Sequence, residues 1–103
     1  MYFCMTIEEV RAEITQIDEE IIRLIAQRQN LAKKVATVKQ TEGIPVHDNQ
    51  RKTDVLEYVM KLAKANHVDP VPIKTIFETL ISMNEKEQRA TMGKSVPPKR
   101  IVR

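Results

Sequence analysis

Residues 6–40 read TIEEVRAEITQIDEEIIRLIAQRQNLAKKVATVKQ, a stretch without a single glycine or proline. Apolar side chains recur within it at Ile7, Val10, Ile14, Ile17, Ile21, Leu24, Leu31, Val35 and Val38, in steps of three and four once position 28, between Leu24 and Leu31, is counted. That is the period of one helix face. Thr6 with Glu9 three residues later forms a capping box at the start, and Thr41-Glu42-Gly43 supplies the stop. At 1.5 Å per residue the predicted helix is a rod of roughly 50 Å. A compact chain of this length has a radius of gyration of only about 13 Å. The rod therefore overhangs any monomeric fold, and its seam is expected to need a second chain. One position interrupts the seam. Arg28 falls where the period asks for an apolar residue.

Two shorter helices follow. Asp48 is placed to cap a second helix whose apolar face is Val55, Leu56, Val59, Met60 and Ala63. It ends near Asp69-Pro70-Val71-Pro72, because proline bars continuation. A third helix is expected from about Pro72 to Arg89 or Ala90, with Ile73, Ile76, Phe77, Leu80 and Ile81 inward. The fold class is all-α, with a long, a short and a medium helix in each chain of an expected dimer. The organisation is a flexible lead-in over 1–5, a helical domain over 6–90 and a basic, mobile tail over 91–103.

Composition narrows the function classes. The chain has 103 residues, 30% charged and 42% hydrophobic, with two glycines and no tryptophan, which is a soluble helical profile. The single Cys4 has no intramolecular disulfide partner, in keeping with a reducing, cytoplasmic setting. No apolar run approaches the roughly 18 residues of a membrane span, so no membrane partner is expected. The net charge of +3 suits nucleic acid and a small polyanion equally. His47 and His67 lack companions at metal-ligand spacing, and no catalytic-triad, P-loop or dinucleotide motif occurs.

The polar residues that fall on apolar faces carry more information. Lys39 lies eleven residues after Arg28, within about 20° of its direction. Arg11 flanks the same seam. Asn84 and Gln88 fall seven and eleven residues after Phe77, again within about 20°. Asp48, Arg51 and Lys52 open the second helix, where cations run against the helix dipole. Each has an ordinary reading: a register-setting residue for Arg28, a dipole-favoured surface cation for Lys39, a solvated helix end for Asn84 and Gln88. Together they describe inward cations and neutral amides with few acids to meet them. A buried guanidinium needs an anion, and the economical anion is a ligand bearing carboxylate or phosphate.

The runs RAEITQIDEEIIRLIAQRQNLAKKVATVK (11–39) and GIPVHDNQR (43–51) resemble the all-helical class of chorismate mutases. The elements are an early Arg, D-x-x-I-x-x-L-I-x-x-R, a Lys eleven residues on, P-x-x-D-x-x-R and a late Gln, and the likeness covers about residues 6–90. The resemblance implies three helices per chain interlocked with a second chain, active sites shared between subunits, and conversion of chorismate to prephenate in aromatic amino acid biosynthesis without cofactor or metal. It further implies that Arg28 and Arg11 of the neighbouring chain bind carboxylate, that Lys39 and Gln88 hold the ether oxygen, and that Asp48 meets the ring hydroxyl. Arg51 would lie near the ring carboxylate, and Asn84 would stand at a small polar position, often Ser, that contacts substrate. One departure is Lys52, where relatives commonly carry a Glu that accepts from the substrate hydroxyl; Lys52 here would donate to the substrate or pair with Asp48.

Two rivals remain open on sequence alone. An isochorismate pyruvate lyase of the same fold would use a similar cationic pocket. A non-enzymatic basic helical dimer would bind nucleic acid or a partner enzyme, but interleaved aromatics and a binding motif are missing. The preferred reading is a free-standing mutase with chorismate as its partner and no nucleic acid.

Overall fold

A computed structural model describes residues 5–93. Three helices account for almost all of them: α1 (Ile7–Glu42), α2 (Asn49–Ala65) and α3 (Pro70–Gly93). The capping box at α1 is present in full. Glu9 N–H donates to Thr6 Oγ1 at 3.1 Å and Thr6 N–H donates to Glu9 Oε1 at 2.8 Å. At the other end Gly43 takes φ 71°, and Ile44 N–H reaches back to the Lys39 carbonyl at 2.8 Å. A side chain at Gly43 would meet no atom within 4 Å, so glycine is required there by backbone conformation alone.

Asp48 caps α2 by accepting from Arg51 N–H at 3.0 Å. The end of α2 is less usual. His67 stands at φ 60°, where glycine is the common choice, and Val68 N–H closes onto the Ala63 carbonyl at 2.8 Å. The third helix departs from the sequence expectation at both ends. It begins at Pro70 rather than Pro72, because first-turn positions need no N–H and Asp69 accepts from Val71 N–H at 3.0 Å. It ends at Gly93, so Thr91, Met92 and Gly93, expected in the tail, are helical. Residues 94–103 of that tail and residues 1–4 of the lead-in lie outside the described residues.

α3 packs against both α1 and α2. The second helix buries Leu56, Val59 and Ala63, with Val55 and Met60 half-buried, the face its periodicity predicts. On α3, Ile73, Phe77, Leu80 and Ile81 are half-buried as expected, but Ile76 is exposed. The first helix requires a larger correction. Its contact with α3 is made by Ala32 and Ala36, both 0% exposed, while the regular seam from Ile7 to Val38 faces outward; Ile21, for example, is 48% exposed. Small alanine side chains let the two backbones approach closely, which the bulkier seam would prevent. Arg28 and Lys39 sit on the alanine stripe (28, 32, 36, 39) rather than only interrupting the apolar one. The chain is correspondingly elongated, with a radius of gyration of 19.0 Å and a longest dimension of 74 Å. Among the described residues no helix is long and apolar enough to cross a membrane.

Candidate active site

Where the C-terminal half of α1, the start of α2 and the end of α3 converge, they enclose a cleft of about 520 Å³. Seven of the eight residues singled out in the sequence line it: Arg28, Lys39, Asp48, Arg51, Lys52, Asn84 and Gln88. Arg11 does not. It lies seventeen residues before Arg28 on one straight helix, about 25 Å away along the axis, on the arm that no other helix covers. Leu31, Ala32, Val35, Val46, Val55 and Ile81 form the apolar walls.

Four of the lining residues are cationic and only two acidic. The ion pairs among the described residues are Arg23–Glu20, His47–Glu85 and Arg89–Glu85. None of the four cleft cations belongs to any of them. Arg28 is half-buried, with its guanidinium carbon 5.9 Å from the centre of the Phe77 ring, near the outer reach of a cation–π contact. Burial, and then the positive charge of Arg51, push its pKa below the ordinary arginine value. Both causes act against the charged form, and both are relieved by an incoming anion.

Lys39 donates from Nζ to the Val46 carbonyl at 2.9 Å, which ties the connector to α1 and leaves two ammonium hydrogens for other acceptors. The Asp48 carboxylate is occupied in part by its capping bond. Lys52 forms no ion pair with Asp48 among the described residues, contrary to one expectation. Asn84 Nδ2 donates to the Arg28 carbonyl at 3.3 Å, and Gln88 Nε2 donates to Asn84 Oδ1 at 3.0 Å. Gln88 is only 4% exposed, and its Oε1 is buried without a partner.

Glu85 is the polar lining residue that sequence reasoning missed. It accepts from His47 Nδ1 at 3.1 Å, which bridges the connector to α3, and lies 3.7 Å from Arg89 one turn on along the same helix. The signal was available: Ile81, Glu85 and Gln88 are spaced four and three, so an inward Ile81 carries Glu85 inward with it. Such a cleft can hold a small dianion between Arg28 and Arg51, press it against apolar walls and present fixed donors between its charged ends.

The family model for chorismate mutase type II matches residues 10–89. The chain belongs to that family. A chorismate mutase from Methanocaldococcus jannaschii is 42% identical over 82 residues, spanning 79% of this chain and 82% of the relative. The bifunctional chorismate mutase/prephenate dehydratase of Escherichia coli K12 is 34% identical over 83 residues, 81% of this chain but 22% of the relative. That of Aquifex aeolicus is 30% identical over 94 residues, 84% of this chain and 26% of the relative. The chain thus spans about a quarter of the length of these two-activity relatives and most of the length of the single-activity one. Within the chorismate mutase family, then, seven residues chosen from the sequence share one cleft.

Proposed function

We propose that the cleft binds chorismate and catalyses its rearrangement to prephenate, in a homodimer whose two sites each draw on both chains. The reaction class is intramolecular isomerisation. One C–O bond of the enol ether breaks as one C–C bond forms, and no proton or group leaves the molecule. The protein's contribution is then twofold: holding the two arms of the substrate in the compact reactive conformer, and stabilising charge that gathers on the ether oxygen.

Arg28 and Arg51 hold the two carboxylates, and their mutual repulsion disappears when the anion arrives. Lys39 and Gln88 serve the ether oxygen. Asp48 accepts from the ring hydroxyl with the oxygen left over from its cap, and Lys52 adds positive charge at the rim. The partner subunit's Arg11 completes carboxylate binding, since the same residue of the same chain is about 25 Å from Arg28 along the helix. A second copy laid along α1 covers the exposed seam at the same time. The observation that carries the reading is the set of four cleft cations without a carboxylate partner among the described residues, in a chain of this family. The lyase and the nucleic-acid readings have no comparable support.

The test is direct. Purified protein mixed with chorismate should consume its ultraviolet absorbance and yield prephenate on chromatography. Pyruvate from isochorismate, with chorismate untouched, would move the protein to the lyase class. No reaction with either would remove the enzymatic reading.

A further inference from the structure

Gln88 is the buried polar side chain among the described residues, and its amide has a polarity dictated from outside. The Arg28 carbonyl can only accept, so the end of Asn84 that meets it at 3.3 Å is the nitrogen. Asn84 Oδ1 is thereby turned to Gln88. An oxygen can only accept in its turn, so it takes Gln88 Nε2 at 3.0 Å. Reversing either amide would set two oxygens, or two nitrogens, against each other. The spacing of four residues keeps Asn84 and Gln88 side by side on one face of α3.

The consequence reaches the cleft that Gln88 lines. An amide is nearly the same size either way round, so steric fit alone does not choose between nitrogen and oxygen. Near an oxygen that gains negative charge the two ends have opposite effects: N–H stabilises and C=O repels. Gln88 Oε1 is left buried without a partner among the described residues, which costs the free protein stability, and reversing the amide would add an oxygen–oxygen clash with Asn84 to that cost.

We propose that Asn84 is a positioning residue that reads the Arg28 carbonyl and, by taking one hydrogen of Gln88 Nε2, holds the Gln88 amide so that the second hydrogen of that nitrogen is the one offered to the reacting ether. This rests on the mutase reading of the cleft. It also replaces a direct substrate contact as the main role of Asn84, whose nitrogen and oxygen each already have a partner within the chain. Because Gln88 acts on charge that develops during bond breaking, Asn84 governs the chemical step more than binding.

The experiment is a double-mutant cycle with Asn84→Ala, Gln88→Ala and the double variant, assayed for kcat and KM on chorismate, with helical content checked by circular dichroism. Asn84→Ala should lower kcat about tenfold, the worth of one hydrogen bond of ordinary strength, with KM nearly unchanged. In the Gln88→Ala background the same substitution should change nothing further. Equal losses in both backgrounds would mean that Asn84 meets the substrate itself, and would overturn the inference. A readout independent of turnover is the side-chain amide proton pair of Gln88 in nitrogen-15 spectra, assigned by its loss in Gln88→Ala. Hydrogen-bonded to Asn84, one proton of the pair should be shifted downfield and slow to exchange with solvent; in Asn84→Ala both shifts should move to those of a free glutamine amide and exchange should quicken, whereas an unaltered pair overturns the proposal. If Asn84→Ala does not fold, Asn84→Leu takes its place, since it keeps nearly the same volume and removes both the donor and the acceptor. Failure of the unsubstituted protein to convert chorismate would refute the mutase reading, and the amide spectrum would still decide whether Asn84 holds Gln88.

Discussion

Arg28 shows how a single residue carries conflicting demands. Its guanidinium is half-buried beside Arg51, lacks a carboxylate partner among the described residues, and has its pKa pushed down for both reasons. In the free chain it is a destabilising choice, and its value lies with the ligand. Substituting Arg28→Met is therefore expected to raise the thermal midpoint while lowering kcat/KM by at least about a hundredfold, the range seen when a charge-stabilising donor is lost. Thermal melts and steady-state kinetics on the same preparation check both halves. A lower midpoint would mean that Arg28 supports the fold rather than strains it. At this scale the site was largely legible in the sequence, because helical spacing encodes direction. Lys39 lies near Arg28's azimuth, and Asn84 and Gln88 near that of Phe77. Glu85 is less legible because it lies off the azimuth of Phe77 that Asn84 and Gln88 share, and only its spacing from Ile81 places it inward.

At the scale of elements, the helix ends that bear on the cleft are set by local chemistry, and most of them could be read in advance. Thr6 with Glu9, Asp48 and Gly43 all act as the sequence indicates. The start of α3 lies two residues ahead of the expected Pro72, because proline in a first turn sacrifices no hydrogen bond and Pro70 opens the helix instead of barring it. Gly43 gives the sharpest test. Its φ of 71° is costly for a side chain and no atom crowds the position, so Gly43→Ala should destabilise the chain by about 1 kcal/mol. The same glycine directs the connector that delivers Val46 to Lys39. Urea titration would measure the loss, and an unchanged midpoint would show that the turn tolerates a side chain after all.

The whole molecule is where sequence pattern and single-chain structure diverge most. The strongest apolar period in the chain, on α1, does not face the chain's own core, which α1 reaches through two alanines instead. Periodicity reports that a face will be buried, not by which chain, and only the excess length of α1 pointed to a partner. A monomer with this seam exposed and a radius of gyration of 19.0 Å presents a large unpartnered apolar stripe to water. Charge placed on the seam far from the cleft, as in Ile17→Lys, should therefore convert a dimer to a monomer in sedimentation and abolish activity with it. Retained activity in a monomeric variant would contradict the shared site.

The central claim, that each cleft is completed by the other chain, is tested most directly by complementation. Arg11→Ala and Arg28→Ala are purified separately, then unfolded and refolded together. Each variant alone should be nearly inactive on chorismate. Random pairing makes half the dimers mixed, and each mixed dimer regains one intact site of two, so about a quarter of the unsubstituted activity should return. A mixture no more active than its two components would contradict the account.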